Sequence, residues 1–195
     1  MPFWLMFLAV FGAGCTPGGG RPKAEYDETG RLRRLTFDVT GNGRHDAVSV
    51  MDGSRVRHIE LDANEDGRVD RWDFYREGRT LDKVGFSTRN NGVMDAQAFY
   101  NGDGTIERIE VSATGGGSFN RVEFYTAGVL VRSEEDTNGD HRPDKWETYR
   151  PNRGGAPGEP PYAITSVAFD DTGSGSPHRR VMFPNASTRA PVEVR

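Results

Sequence analysis

The chain has 195 residues, which allows one domain of ordinary size or one repeat array, and only 34% of them are hydrophobic. The formal charge of −4, with both signs scattered along the chain, argues against a nucleic-acid surface, which needs clustered Lys and Arg. Gly 25 and Pro 11 argue against long helices, and the single cysteine, Cys15, excludes a disulfide within the chain.

The N-terminus holds much of the apolar content. Residues 1–11 are almost wholly apolar and lead into Gly12-Ala13-Gly14-Cys15. A helix of about 14 residues spans roughly 21 Å, short of the roughly 30 Å bilayer core, so the run reads as a signal-peptide segment. Small residues directly before a lone cysteine resemble the lipobox of bacterial lipoproteins. That resemblance implies cleavage after residue 14 and a lipid (palmitate) anchor on Cys15. It also implies attachment to the cell envelope, and Thr16 in place of Asp resembles the outer-membrane sorting pattern. Residues 15–25 (CTPGGGRPKAE) then read as the lipidated cysteine and a flexible tether.

From residue 26 to 183 the chain repeats itself. Asp46, Asp70, Asp95, Asn120 and Asp144 fall at spacings of 24, 25, 25 and 24. Each closes a polar loop that begins eight residues earlier, at Asp38, Asp62, Ser87, Ser112 and Asp136. After each register residue comes a short run, aromatic in four of the five copies, such as Trp72-Asp73-Phe74-Tyr75. A turn follows (Asp52-Gly53, Glu77-Gly78, Gly102-Asp103-Gly104, Ala127-Gly128), then a second apolar run. A half-repeat with Tyr26, Gly30, Leu32, Leu35 and Phe37 opens the array. A degenerate sixth loop starts at Asp170 with His178 in register. It follows a Gly/Pro-rich insertion at 152–161, and residues 184–195 read as a tail. The runs are short and bounded by Gly, Asn and Asp, so each unit reads strand, turn, strand, loop. The expected fold is all-β: an antiparallel β-hairpin repeat array, meander-like or solenoid-like. Asp52-Gly53 is expected to form a tight turn with both residues at its centre.

The loops carry the candidate chemistry. Loop 62–70 sets Asp62, Asn64, Asp66 and Asp70 at positions 1, 3, 5 and 9, with Gly67 at position 6. Loop 136–144 repeats this with Asp136, Asn138, Asp140 and Asp144, and with His141 at position 6. The pattern resembles the EF-hand-type calcium loop, and more closely the integrin-type loops set between β-strands, where position 9 binds directly. The resemblance implies Ca²⁺ ligation by those eight side chains and by the position-7 backbone carbonyls of Arg68 and Arg142. Asp73 and Glu147, at position 12, are candidate helpers. Loop 38–46 offers a weaker set, Asp38, Thr40, Asn42 and Asp46. Loops 87–95 and 112–120 read only as turns. The bland alternative is that Asx side chains merely cap the turns by bonding their own backbone.

His45, His58, His141 and His178 are isolated, and no nucleophile, zincin or phosphate-loop motif is present; Gly115-Gly116-Gly117 lacks the following Lys-Ser/Thr. The expectation is a non-enzymatic, calcium-binding surface lipoprotein that acts as a structural or interaction scaffold, with a protein or glycan partner. A dockerin-like module would instead need a helix after each loop. A carbohydrate-binding β-protein would use Trp72, Phe74, Phe99, Phe124 and Trp146 as a sugar strip, although core packing is the commoner use of such aromatics.

Overall fold

The computed structural model describes residues 21–152 and 161–183, together with the backbone of Val192–Val194. The signal segment, Cys15 and most of the 152–161 insertion lie outside the described residues. The strands are β1 (Lys23–Tyr26), β2 (Leu32–Phe37), β3 (Ala47–Asp52), β4 (Arg55–Leu61), β5 (Arg71–Arg76), β6 (Thr80–Phe86) and β7 (Ala96–Tyr100). They continue as β8 (Ile106–Val111), β9 (Arg121–Thr126), β10 (Val129–Glu135), β11 (Lys145–Pro151), β12 (Tyr162–Phe169), β13 (Arg179–Met182) and β14 (Val192–Val194). All fourteen form one antiparallel sheet in sequence order, an open meander. Substantial contact between strands is confined to sequence neighbours, so the sheet is a single layer.

Among the described residues there is no helix, and β5 and β11 follow the two best calcium-type loops directly, where a dockerin-like module would need a helix. Three bounds differ from expectation. Lys23, Ala24 and Glu25 belong to the sheet rather than to the tether, and Val192–Val194 pairs with β13 inside the expected tail. Extended chain beside an open sheet edge satisfies its N–H and C=O groups by pairing. The turn after β3 is centred on Gly53-Ser54, because Asp52 is still paired with Arg55. Only Gly53 takes positive φ there, whereas Glu77-Gly78 and Ala127-Gly128 carry the double positive φ of a type I′ turn.

Six alternate pairings, from β1–β2 to β11–β12, each contain one bulge. The pairing skips a single residue in β2, β4, β6, β8, β10 and β12: Arg33, Arg57, Asp82, Glu107, Val131 and Thr165. A bulge at one place in each repeat increases the right-handed twist in regular steps.

Antiparallel partners sit directly opposite, and side chains alternate between faces, so the registers link into rows across the sheet. One face carries the row Ser49, Ile59, Asp73, Val84, Ala98, Ile109, Glu123, Ser133, Glu147 and Val167. Its small members are buried, with Val84 0%, Ala98 1% and Ile109 3% exposed. The opposite face carries His58, Phe74, Lys83, Phe99, Arg108, Phe124 and Arg132, one residue per strand from β4 to β10. Cation and ring alternate along this row. Lys83 Nζ lies 5.0 Å from the Phe74 ring and 5.4 Å from that of Phe99. The Arg108 guanidinium lies 3.7 Å from Phe99 and that of Arg132 3.5 Å from Phe124, while His58 and Phe74 stack at 5.5 Å. The phenylalanines are thus half-exposed and roofed by cations, neither enclosed in a core nor presented bare.

A cation over a ring contributes about 0.5–1 kcal/mol at such partly exposed sites. A double-mutant cycle of Phe99→Leu and Arg108→Met, followed by urea unfolding, is therefore expected to give a coupling of about that size. Additive effects in that cycle would remove the ladder from the account of stability.

Candidate functional site: the loop edge

Six loops, 38–46, 62–70, 87–95, 112–120, 136–144 and 170–178, lie along one edge of the sheet. They share one backbone. The residue at position 9 donates its N–H to the strand before the loop, as Asp70 does to the Leu61 carbonyl at 2.8 Å and His178 to Phe169 at 3.1 Å. The carbonyl at position 9 then accepts the position-1 N–H of the next loop, from Asp62 onto Asp46 through to Asp170 onto Asp144. Left-handed backbone recurs at positions 4 and 6 of each loop: Gly41/Gly43, Glu65/Gly67, Asn90/Gly92, Gly115/Gly117, Gly139/His141 and Gly173/Gly175. The Gly at position 6 was legible in the sequence. The requirement at position 4 was not, because Glu65 and Asn90 occupy it in two loops.

The side chains at positions 1 and 9 close the loop. Asp46, Asp70, Asp95, Asn120 and Asp144 accept N–H bonds from position 2, at 2.7–3.2 Å. At position 1, Asp38 accepts from Gly43 at 2.7 Å, Asp62 from Gly67 at 2.8 Å, Asp136 from His141 at 2.8 Å and Asp170 from Gly175 at 2.6 Å. At Asp38, Asp136 and Asp170 these donors stabilise the ionised form. The Gly43 N–H, above all, holds Asp38 below the usual carboxylate range. At Asp136, burial alone would raise the pKa, and the Gly139 and His141 N–H groups outweigh it.

The loops singled out from the sequence also use positions 3 and 5. Asn64 accepts from the Asp66 N–H and Asp66 from that of Arg68, both at 2.9 Å. Asn138 and Asp140 repeat both bonds, to Asp140 and Arg142, at 2.9 Å. Each oxygen keeps a second lone pair that one N–H does not use. The carbonyls of Arg68 and Arg142 accept no hydrogen bond from the described residues. Among the described residues no group of three or more His, Cys, Asp or Glu side chains is gathered closely enough to hold a metal ion.

Loop 38–46 is organised differently. The Thr40 hydroxyl donates to Asp38 at 3.3 Å and to Glu65 of the next loop at 3.1 Å. Asn42 Nδ2 also donates to Glu65, and Arg44 pairs with it at 3.5 Å. Glu65 is a strut between two loops, a role the sequence pattern did not reveal. The position-12 carboxylates do not face the loops. Asp73 is paired with Arg71 at 2.6 Å, and Glu147 lies in a cluster on the sheet face.

That cluster spans β9 to β11. Arg121 donates to Glu123 at 3.2 Å, Glu135 at 3.1 Å, Glu147 at 2.9 Å and the Tyr149 hydroxyl at 2.7 Å. Ser133 donates to Glu147 at 3.0 Å, and Lys145 bridges Glu135 and Glu147 at 3.2 and 3.1 Å. Burial would raise the Glu147 pKa, but the Tyr149 hydroxyl, Arg121 and Lys145 outweigh it and hold the pKa at about 2. The same burial and the hydrogen bond to Glu147 push Tyr149 up to about 12. Every charge here has an internal partner, which makes the cluster a polar network that ties three strands together.

No protein-family model matches the chain, and no curated protein matches it. A solved structure titled "Crystal structure of GtfA/B complex" aligns over 54% of this chain and 20% of that one, at 15% identity and a TM-score of 0.39. The chain therefore spans about a fifth of the length of that structure's chain, and a likeness at this level carries no argument.

The cluster generates a pH dependence. The folded pKa of Glu147, about 2, lies below the ordinary 4.5, so its contribution is present above pH 4.5 and is lost as pH falls toward 2. Glu147→Gln is expected to be less stable at neutral pH and to lose stability less steeply across that window in acid titrations of the β-type circular-dichroism signal. Parallel acid profiles for wild type and variant would contradict the assignment.

Proposed function

We propose that the chain is an exported, lipid-anchored, non-enzymatic scaffold of the bacterial cell envelope whose loops 62–70 and 136–144 bind calcium. One observation carries the calcium reading. Loop 112–120 has no carboxylate and loop 87–95 has only Asp95, yet both adopt the same left-handed pair at positions 4 and 6 as the other loops. The loop shape therefore does not need oxygens at positions 1, 3, 5 and 9 together. Their concentration in two loops favours a further use, and a hard cation that takes six to eight oxygen ligands is the chemistry they suit. The candidate ligands are Asp62, Asn64, Asp66, Asp70 and the Arg68 carbonyl, with Asp136, Asn138, Asp140, Asp144 and the Arg142 carbonyl in the second loop. The ion would supply charge neutralisation, and the loops would gather the oxygens. Loop 38–46 is a weaker candidate, because Glu65 engages both Thr40 and Asn42. The scaffold reading rests on a single-layer sheet with a repeated edge, and its partner would be a protein or a glycan of the cell surface.

Calorimetry on residues 16–195 is expected to give about two sites with Kd in the range of about 10⁻⁵ to 10⁻³ M, as for extracellular modules. Asp66→Ala with Asp140→Ala is expected to abolish most of the heat, and an unchanged titration would reduce the loops to capped turns.

The anchor is tested separately. Cys15→Ser is expected to release the protein from the membrane fraction and to block palmitate labelling. A wild type that takes no label and a variant that stays with membranes would refute it.

A further inference from the structure

Loop 112–120 departs from the other five at one point. In each of the others the position-1 side chain accepts the position-6 N–H: Asp38 from Gly43, Asp62 from Gly67, Ser87 from Gly92, Asp136 from His141 and Asp170 from Gly175. Four of those acceptors are carboxylates. Here position 1 is Ser112, 5% exposed, and its Oγ has no hydrogen-bond partner among the described residues. The N–H groups of Gly116 and Gly117 likewise donate to no acceptor among the described residues. The backbone still bends as elsewhere, with Gly115 at φ 73° and Gly117 at φ 82°. Successive N–H groups in such a bend form a concavity that attracts anions.

A cation is placed against this same loop. Arg89, at position 3 of the preceding loop, donates from Nη1 to the Thr114 carbonyl at 2.9 Å. Its guanidinium lies against Gly115, where an added Cβ would collide with it. Arg89 is the only arginine at position 3 of a loop; the others carry Thr40, Asn64, Thr114, Asn138 and Thr172. A basic side chain therefore covers the one loop, of residues 112–120, that contains no carboxylate. One hydrogen bond to Thr114 uses one of its five donors.

We propose that loop 112–120 is an oxyanion site, in which a phosphate or carboxylate group takes the place that Asp38, Asp62, Asp136 and Asp170 fill in their own loops. The Gly116 and Gly117 N–H groups and the remaining Arg89 donors bind it, with the Ser112 hydroxyl at its base. The site is independent of the calcium reading, since it uses none of those ligands.

The test is a titration of the isotope-labelled chain from residue 16, followed through the backbone amide resonances of Gly115, Gly116 and Gly117. Inorganic phosphate and acetate are added in separate arms at constant ionic strength set with sodium chloride. Saturable shifts confined to this loop are expected in at least one arm, and the responding arm tells a phosphate source from a carboxylate source. Arg89→Gln is expected to weaken binding about tenfold. Ser112→Asp supplies the missing carboxylate within the chain, so it is expected to leave the spectrum folded and to abolish the response. A wild type unmoved by either anion would mean that the Ser112 hydroxyl closes its own loop as Ser87 does, and would overturn the proposal. So would an equal response in Ser112→Asp, or in Arg89→Gln should the aspartate variant fail to fold.

Discussion

A sheet one layer thick has no opposing layer to bury its side chains against, and the rest of this structure follows from that. Each side chain finds its closest company directly across the strand gap, so cross-strand pairs must do what a core does elsewhere. On one face small residues stand opposite each other, as Val84 and Ala98 do, and both are buried. On the other face the long apolar groups cannot be sealed, and cations roof them instead. Phe99 lies between Lys83 and Arg108, and Arg132 covers Phe124. Toward β11 the sheltered row turns ionic, and Arg121 joins three strands through Glu123, Glu135 and Glu147.

The two edges solve a second consequence of the same geometry. Each return of the chain must satisfy its own backbone groups without help from a neighbouring layer. At one edge, the turns at 53–54, 77–79 and 127–128 do this within two or three residues, and those at 27–31 and 101–105 within five. At the other, nine-residue loops close around the side chains at positions 1 and 9, and the position-9 carbonyl ties each loop to the next. Glu65 and Arg89 strengthen this stacking by reaching into the adjacent loop. The edge is thus a continuous hydrogen-bonded rim. The chemistry displayed on it changes from loop to loop while the backbone does not, because the left-handed pair at positions 4 and 6 persists through Gly, Glu, Asn and His.

The period of about 25 residues made the architecture legible, since register residues, loops and turns recur in order, and the sixth loop with His178 in register was visible despite its divergence. The cation–ring ladder was half legible. Phe74, Phe99 and Phe124 stand out as aromatics, but Lys83, Arg108 and Arg132 enter only once the bulges fix which residues face which. A one-residue bulge such as Asp82 shifts the pairing beyond the reach of a pattern count. Asp73 and Glu147 sit at the right distance along the chain to assist the loops, and strand direction turns them onto a sheet face instead. Ser112 looked like the remnant of a decayed loop. Only the bond from position 6 to position 1 in its five counterparts gives the unpartnered Ser112 hydroxyl a meaning.

The central claim is that the sheet is a single, open layer whose strands pair only with their sequence neighbours. Small-angle X-ray scattering of the chain from residue 16 onward tests it most directly. Fourteen strands at about 4.8 Å spacing give a sheet roughly 60 Å long and a radius of gyration near 20 Å or above. A radius of about 16 Å, the value for a compact domain of this length, would mean that the sheet folds back on itself and would contradict the account.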